Sequence, residues 1–268
     1  MSDPFGSHRE ILGDGPPVLC ISGFASGNWM FRRFVEPLAD RFCFVIPDNR
    51  GMGAAPPAQG PYGLEDLADD ALRLMDELGH TTFFVIGLSM GGFVAQLLAS
   101  RYPERVRSLV LMCTSSNGEG FKALFPMFAR EQVAFIYHLR KEDRVRAALS
   151  DPFCPMLASR YPETYDYVMQ QRLLSEPEGD QVLLQYDAVA RFFAASSPVD
   201  LFALDLPVLV MSAEQDPIVP VANARLLADQ LPRAELAVIG ETDHLFFLEK
   251  AEEVAERIGV FLDPVSGS

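Results

Sequence analysis

Gly87-Leu88-Ser89-Met90-Gly91-Gly92 stands between an unbroken apolar run, residues 83–86, and an apolar helix-like segment, residues 93–99. The pattern is Gly-x-Ser-x-Gly in a strand–turn–helix setting. A serine hydroxyl is a poor nucleophile unless a tight turn projects it toward a base at the start of a helix. Such a turn crowds the backbone, so the flanking positions must lack side chains, and Gly87 and Gly91 meet that need. The helix start offers the amide of Met90 to an oxyanion forming beside Ser89. A glycine-flanked serine can also be a plain helix cap. The strand before it and the helix after it favour the nucleophile.

The same alternation extends outward. Apolar runs at residues 18–22, 42–47, 83–87, 108–113, 208–212 and 235–239 are mostly unbroken, as strands buried on both faces of a parallel sheet are. Amphipathic segments separate them. Residues 64–78 place Leu64, Leu67, Ala68, Ala71, Leu72, Met75 and Leu78 on one helical stripe, which Gly79 ends. Val254, Ile258 and Phe261 fall at helical spacing within residues 251–262. The expected fold is α/β, a doubly wound and mostly parallel sheet.

Residues 114–206 break the rhythm. They hold no convincing strand, only helical pieces punctuated by prolines, with Phe121, Phe125, Phe128 and Phe135 early and Phe192 and Phe193 late. A structureless loop of that length is improbable in a compact domain. The segment is therefore read as a helical cap, or lid, inserted over the carboxyl edge of the sheet, with residues 1–113 and 207–268 as the core.

Composition narrows the partners. A chain of 268 residues with 49% hydrophobic content can bury one substantial core. A net charge of −15 argues against nucleic acid and anionic membrane surfaces. No basic segment followed by an apolar run opens the chain, and no apolar stretch is long enough to span a bilayer. Cys20, Cys43, Cys113 and Cys154 show no Cys-x-x-Cys spacing, and three lie inside apolar runs. The expectation is a reduced, cytoplasmic protein with no metal and no cofactor.

Residues 87–113, GLSMGGFVAQLLASRYPERVRSLVLMC, resemble the turn, helix and next strand of the α/β-hydrolase superfamily. Within it, similarity is greatest to esterases and lactonases of the 3-oxoadipate enol-lactonase type. The resemblance extends to Asp48-Asn49-Arg50-Gly51-Met52-Gly53, similar to that family's Asp-x-Arg-Gly-x-Gly loop, and to residues 207–220 and 240–248. Two positions depart from it. Ser22-Gly23 stands where the family usually has His-Gly, and the only tryptophan is Trp29, so the lid lacks the tryptophan associated with enol-lactonases.

Four histidines leave few choices of base. His8 precedes the first clear strand, His80 falls at the sheet end opposite the serine, and His138 lies in the lid. His244 alone follows a final strand, in the loop Gly240-Glu241-Thr242-Asp243-His244, and loops after parallel strands meet at one edge. The acid should follow the preceding strand. There Asp216 occupies the position that the resemblance assigns to the triad acid, with Glu214 and Asp48 as competitors. The loop Ser22-Gly23-Phe24 offers the amide of Phe24 as a second oxyanion donor beside that of Met90, because Gly23 permits close approach.

The resemblance implies hydrolysis of a small-molecule ester or lactone with a small to medium acyl group, through an acyl-enzyme. Gly23, Phe24, Trp29, Met90 and Phe128 are expected to line the substrate pocket. Carbon–carbon bond hydrolases and cofactor-free perhydrolases keep the same triad. A slowly hydrolysing ligand receptor shares the fold but has no feature of this sequence in its favour. Ser89 excludes the relatives that attack with an aspartate.

Overall fold

The strands β1 (Arg9–Leu12), β2 (Pro17–Ile21), β3 (Cys43–Pro47), β4 (Phe83–Leu88), β5 (Val106–Met112), β6 (Val208–Ala213) and β7 (Ala234–Ile239) form one sheet in the computed structural model, which describes residues 8–125, 127–150, 153–175 and 177–266. Their order is β1-β3-β2-β4-β5-β6-β7, with β1 antiparallel to β3 and every other pairing parallel. The chain passes from β2 outward to β3, returns to β4 on the other side of β2, and then moves away through β5, β6 and β7. The carboxyl ends of β2 and β4 therefore flank a topological switch point, where open α/β sheets bind their ligands.

Alternate residues of the central strands feed two separate cores. Val18, Cys20, Phe84 and Ile86 pack with α1 (Arg32–Val35) and α12 (Ala251–Ser266) on one face. Leu19, Ile21, Phe83 and Val85 pack with α2 (Leu64–Glu77) and α3 (Met90–Arg101) on the other. Burial on both faces explains the unbroken apolar runs, and each large side chain sealed there contributes about 1.5–3 kcal/mol. Gly79, at φ 78°, ends the α2 segment as expected. Leu72 and Leu78 are only half-buried, and Leu74 takes the core position instead.

β1 was not expected. Its four residues, Arg-Glu-Ile-Leu, lie at the sheet edge with Ile11 45% exposed, so no apolar run announces them.

Between β5 and β6 lie α4 (Glu119–Leu124), α5 (Arg130–His138), α6 (Lys141–Ala148), α7 (Leu157–Arg160), α8 (Pro162–Ser175) and α9 (Gly179–Ala194), with no strand among the described residues. This inserted helical segment is the lid. Phe192 of α9 stacks on Phe93 of α3 with ring centroids 5.1 Å apart, anchoring the lid to the core. The chain then returns through β6, α10 (Ala222–Gln230), β7 and α11 (Phe246–Glu249). Among the described residues no helix is long and apolar enough to cross a membrane.

Candidate active site

Ser89 occupies the turn from β4 into α3 with φ 52° and ψ −116°, a conformation that costs about 1–3 kcal/mol for a residue with a side chain. Its neighbours hold it there. The Ser89 amide donates to the Met112 carbonyl at 2.8 Å, and its carbonyl accepts from the Gly92 amide at 2.9 Å and the Thr114 hydroxyl at 2.7 Å. A Cβ on Gly91 would collide with the carbonyl of Ile21, so only glycine lets α3 start this close to β2. Gly23 faces Ser89, its missing Cβ lying 3.3 Å from the Cβ of that residue.

Two further loops converge on the same edge. His244, from the loop after β7, places Nδ1 2.7 Å from Oδ2 of Asp216, from the loop after β6. Oδ1 of Asp216 accepts the amides of Ile218 and Val219, both at 2.8 Å, so the carboxylate is clamped through both oxygens. With Nδ1 donating to Asp216, Nε2 of His244 is left as an acceptor. The competing groups lie elsewhere. Glu214 is exposed. Asp48 accepts the amides of Asn28 at 2.7 Å and Ala54 at 2.9 Å, joining the loops after β2 and β3. Burial raises the Asp48 carboxyl from its ordinary value, and those amide bonds oppose the shift. His138 is exposed on α5, with Nδ1 2.6 Å from the Ala134 carbonyl.

Ser89 and His244 both line a cavity of about 250 Å³ beneath the lid. Gly23, Phe24, Met90 and Phe128 line it too. Trp29 does not. It packs edge-on against Tyr167 at 6.1 Å, and its neighbour Met30 reaches the cavity in its place. The short 3₁₀ turn Asn28–Met30 sets that rotation, which sequence spacing does not reveal. Phe125 lines the cavity, Phe121 is buried outside it, and Phe135 points outward, 68% exposed. The lid also contributes Tyr186, from its last aromatic piece, and Tyr137, Arg144 and Arg172, which the sequence pattern did not single out.

Ser22 donates its hydroxyl to the Gly27 carbonyl at 3.2 Å. Its own carbonyl accepts from the Asn49 side chain at 3.2 Å, so the loop bearing Phe24 is braced from within and from the loop after β3.

A second acidic pair lies behind the histidine loop. Asp243 is fully buried and accepts the amides of Leu245 at 3.2 Å and of Met156, in the lid, at 3.0 Å. Glu249 accepts the Asp243 amide through Oε2 at 3.1 Å, and its Oε1 is buried without a hydrogen-bond partner. Burial first, then Asp243, pushes the Glu249 carboxyl up to about 9.

A family model described as alpha/beta hydrolase fold matches residues 16–251. The chain belongs to the alpha/beta hydrolase fold family. It is 30% identical over 270 residues to a 2-hydroxymuconate semialdehyde hydrolase of Pseudomonas sp., covering 93% of this chain and 88% of that one. It is 28% identical over 250 residues to a poly(3-hydroxyalkanoate) depolymerase of Ectopseudomonas oleovorans, covering 92% and 84%. A solved structure of a thermophilic esterase from Thermogutta terrifontis matches with a TM-score of 0.79 at 27% identity, covering 96% of this chain and 93% of that one. Alpha/beta hydrolase relatives of different named activities thus match at similar identity. The kinship is with the family, and no enol-lactonase branch is singled out.

Proposed function

We propose that the protein is a serine hydrolase that cleaves small carboxylic esters or lactones through an acyl-enzyme, with Ser89 as nucleophile, His244 as base and Asp216 as acid. One observation carries the reading. His244, clamped to Asp216 at 2.7 Å, opens onto the same cavity as Ser89, which sits in a strained turn.

In this mechanism Nε2 of His244 takes the Ser89 proton as Oγ attacks the ester carbonyl. Asp216 keeps the proton on Nδ1 and stabilises the imidazolium. The developing oxyanion is held by the amides of Met90, at the start of α3, and Phe24, whose loop Gly23 brings against Ser89. Collapse expels the alcohol, or opens the lactone, with the proton returned by His244. Water activated by the same imidazole then frees the acid and regenerates Ser89. The segment 114–206 acts as the cap, and Gly23, Phe24, Met90 and Phe128 form part of the acyl pocket. Four free cysteines fit a reducing, cytoplasmic setting.

Multiple turnover of p-nitrophenyl butyrate, with an initial burst equal to the enzyme concentration when deacylation is slow, would support the reading. Failure to exceed a single turnover on any member of an ester, thioester and lactone panel would refute it.

A further inference from the structure

Three bonds run from one short lid segment, residues 156–161, to the loop that carries His244. The Met156 amide donates to Oδ2 of Asp243 at 3.0 Å, the Tyr161 hydroxyl donates to the Glu241 carbonyl at 2.9 Å, and Arg160 donates to the Glu241 carboxylate at 3.1 Å. The segment, with α7 at its centre, thus grips the loop on both sides of Thr242. Leu157 anchors it, fully buried in the same apolar cluster as Leu245 and Phe247.

The grip reaches His244 through the backbone. Oδ1 of Asp243 accepts the Leu245 amide at 3.2 Å, closing a side-chain turn with His244 at its centre. One wholly buried carboxylate therefore spans His244 with one oxygen and holds the lid with the other. Glu241, at φ 58°, occupies the left-handed region, which is unfavourable for a residue with a side chain, and Tyr161 restrains it at its carbonyl. The bond from Nδ1 to Asp216 fixes one end of the imidazole, yet the ring can still swing about that bond. Where Nε2 points then depends on the backbone that the lid holds. Lifting this segment removes the Met156 amide and deprives a buried carboxylate oxygen of that donor, so lid seating and histidine orientation are coupled.

We infer that residues 156–161 of the lid position the base, with Asp243 and Tyr161 as positioning residues acting through His244, so that Ser89 is activated only while this segment is seated. The inference rests on the serine-hydrolase reading, which makes His244 the base.

The test follows kcat and KM on p-nitrophenyl acetate and p-nitrophenyl hexanoate, together with the rate of inactivation by diethyl p-nitrophenyl phosphate, whose attack by Ser89 draws on the same base. Asp243→Asn cannot accept both amides, and Asp243→Ser can close the turn to Leu245 but is too short for Met156. Each should lower kcat by about tenfold, and Tyr161→Phe, which loses one neutral bond, by about threefold. The factor should be the same on both esters, with KM little changed and inactivation slowed equally. Arg140→Gln, at an exposed lid position, should leave every reading as in the wild type.

A rise in KM that is larger for hexanoate than for acetate, with inactivation unchanged, would mean that the segment only shapes the pocket, and would overturn the inference. Wild-type kcat in Asp243→Ser would overturn it too, because the bond to the lid would then be idle. If neither Asp243 variant folds, Tyr161→Phe decides alone. If the wild type turns over no ester, the hydrolase reading has failed separately. The downfield proton resonance of the bond between His244 and Asp216, identified by its loss in His244→Gln, then still reads the geometry. Its shift or broadening in Tyr161→Phe supports the positioning role, and an unchanged signal sinks it.

Discussion

The backbone amide of Ala25 donates to the side-chain carbonyl of Gln185 at 2.7 Å, a buried bond that ties the loop after β2 to the lid helix α9. Ala25 is held at φ 50°, next to Phe24, so the bond fixes the backbone from which the second oxyanion donor is proposed to come. Gln185→Leu should cost about 1–3 kcal/mol by stranding the Ala25 amide. It should also lower kcat on p-nitrophenyl butyrate by on the order of tenfold with little change in KM, because the oxyanion exists only in the transition state. Urea unfolding and steady-state kinetics on the same preparation measure both. An unchanged kcat would detach this loop from the chemistry.

Replacement of the proposed triad members separates them from the other histidines. Ser89→Ala and His244→Ala should each reduce turnover by on the order of 10⁴-fold or more, since the group acts as a unit. His138→Ala, at an exposed position on α5, should leave most activity. A lethal His138→Ala beside a mild His244→Ala would reverse the assignment of the base.

The pair behind the histidine loop gives stability a specific pH dependence. Glu249 is raised from its ordinary carboxylate range to about 9 in the folded protein, so between those two values the folded state holds a proton that the unfolded state has released. This contribution to stability is full below the unfolded value, falls as pH rises, and is lost by about pH 9. Glu249→Gln keeps a hydrogen-bond donor toward Asp243 without an ionisable proton. Its Tm should therefore fall less steeply than that of the wild type from pH 5 to 9. Parallel Tm profiles by calorimetry would show that Glu249 does not carry this pH dependence.

The parts of this molecule legible in the sequence are those fixed by local physics. The turn at Ser89 could be read because crowding demands glycine on both sides, and β4 because a strand buried on both faces is continuously apolar. His244 could be placed because loops after parallel strands share an edge. β1 escaped notice because a four-residue edge strand needs no apolar run. Trp29 was placed in the pocket, and Met30 lies there instead, because a single 3₁₀ turn decides which of two adjacent side chains faces inward. Arg172 and Asp243 were invisible for a different reason. Each acquires its setting from packing between the lid and the core, and no spacing within the chain encodes that.

Acyl length should be read by the lid. The cavity of about 250 Å³ falls just below the common ~300–1,000 Å³ range of small-molecule sites and is roofed by the lid residues Phe125, Phe128, Val133 and Ile136. Phe93, which lines the cavity, is held by Phe192 and Phe193 of α9 at 5.1 and 5.3 Å between centroids, so the lid side of the cavity is fixed against α3. Rates along a p-nitrophenyl ester series should therefore peak at short to medium chains and decline toward dodecanoate. Each fitted methylene should change specificity by only about 1–3 kcal/mol, which makes the decline graded. Phe125→Ala should shift the peak toward longer chains by removing part of the roof, at the cost of stability lost from its stacking on Phe193. Faster turnover on an emulsified triglyceride than on the butyrate or hexanoate ester would mean that the lid swings clear of the site at an interface. A cavity roofed by the lid would then be the wrong description of the state that reacts.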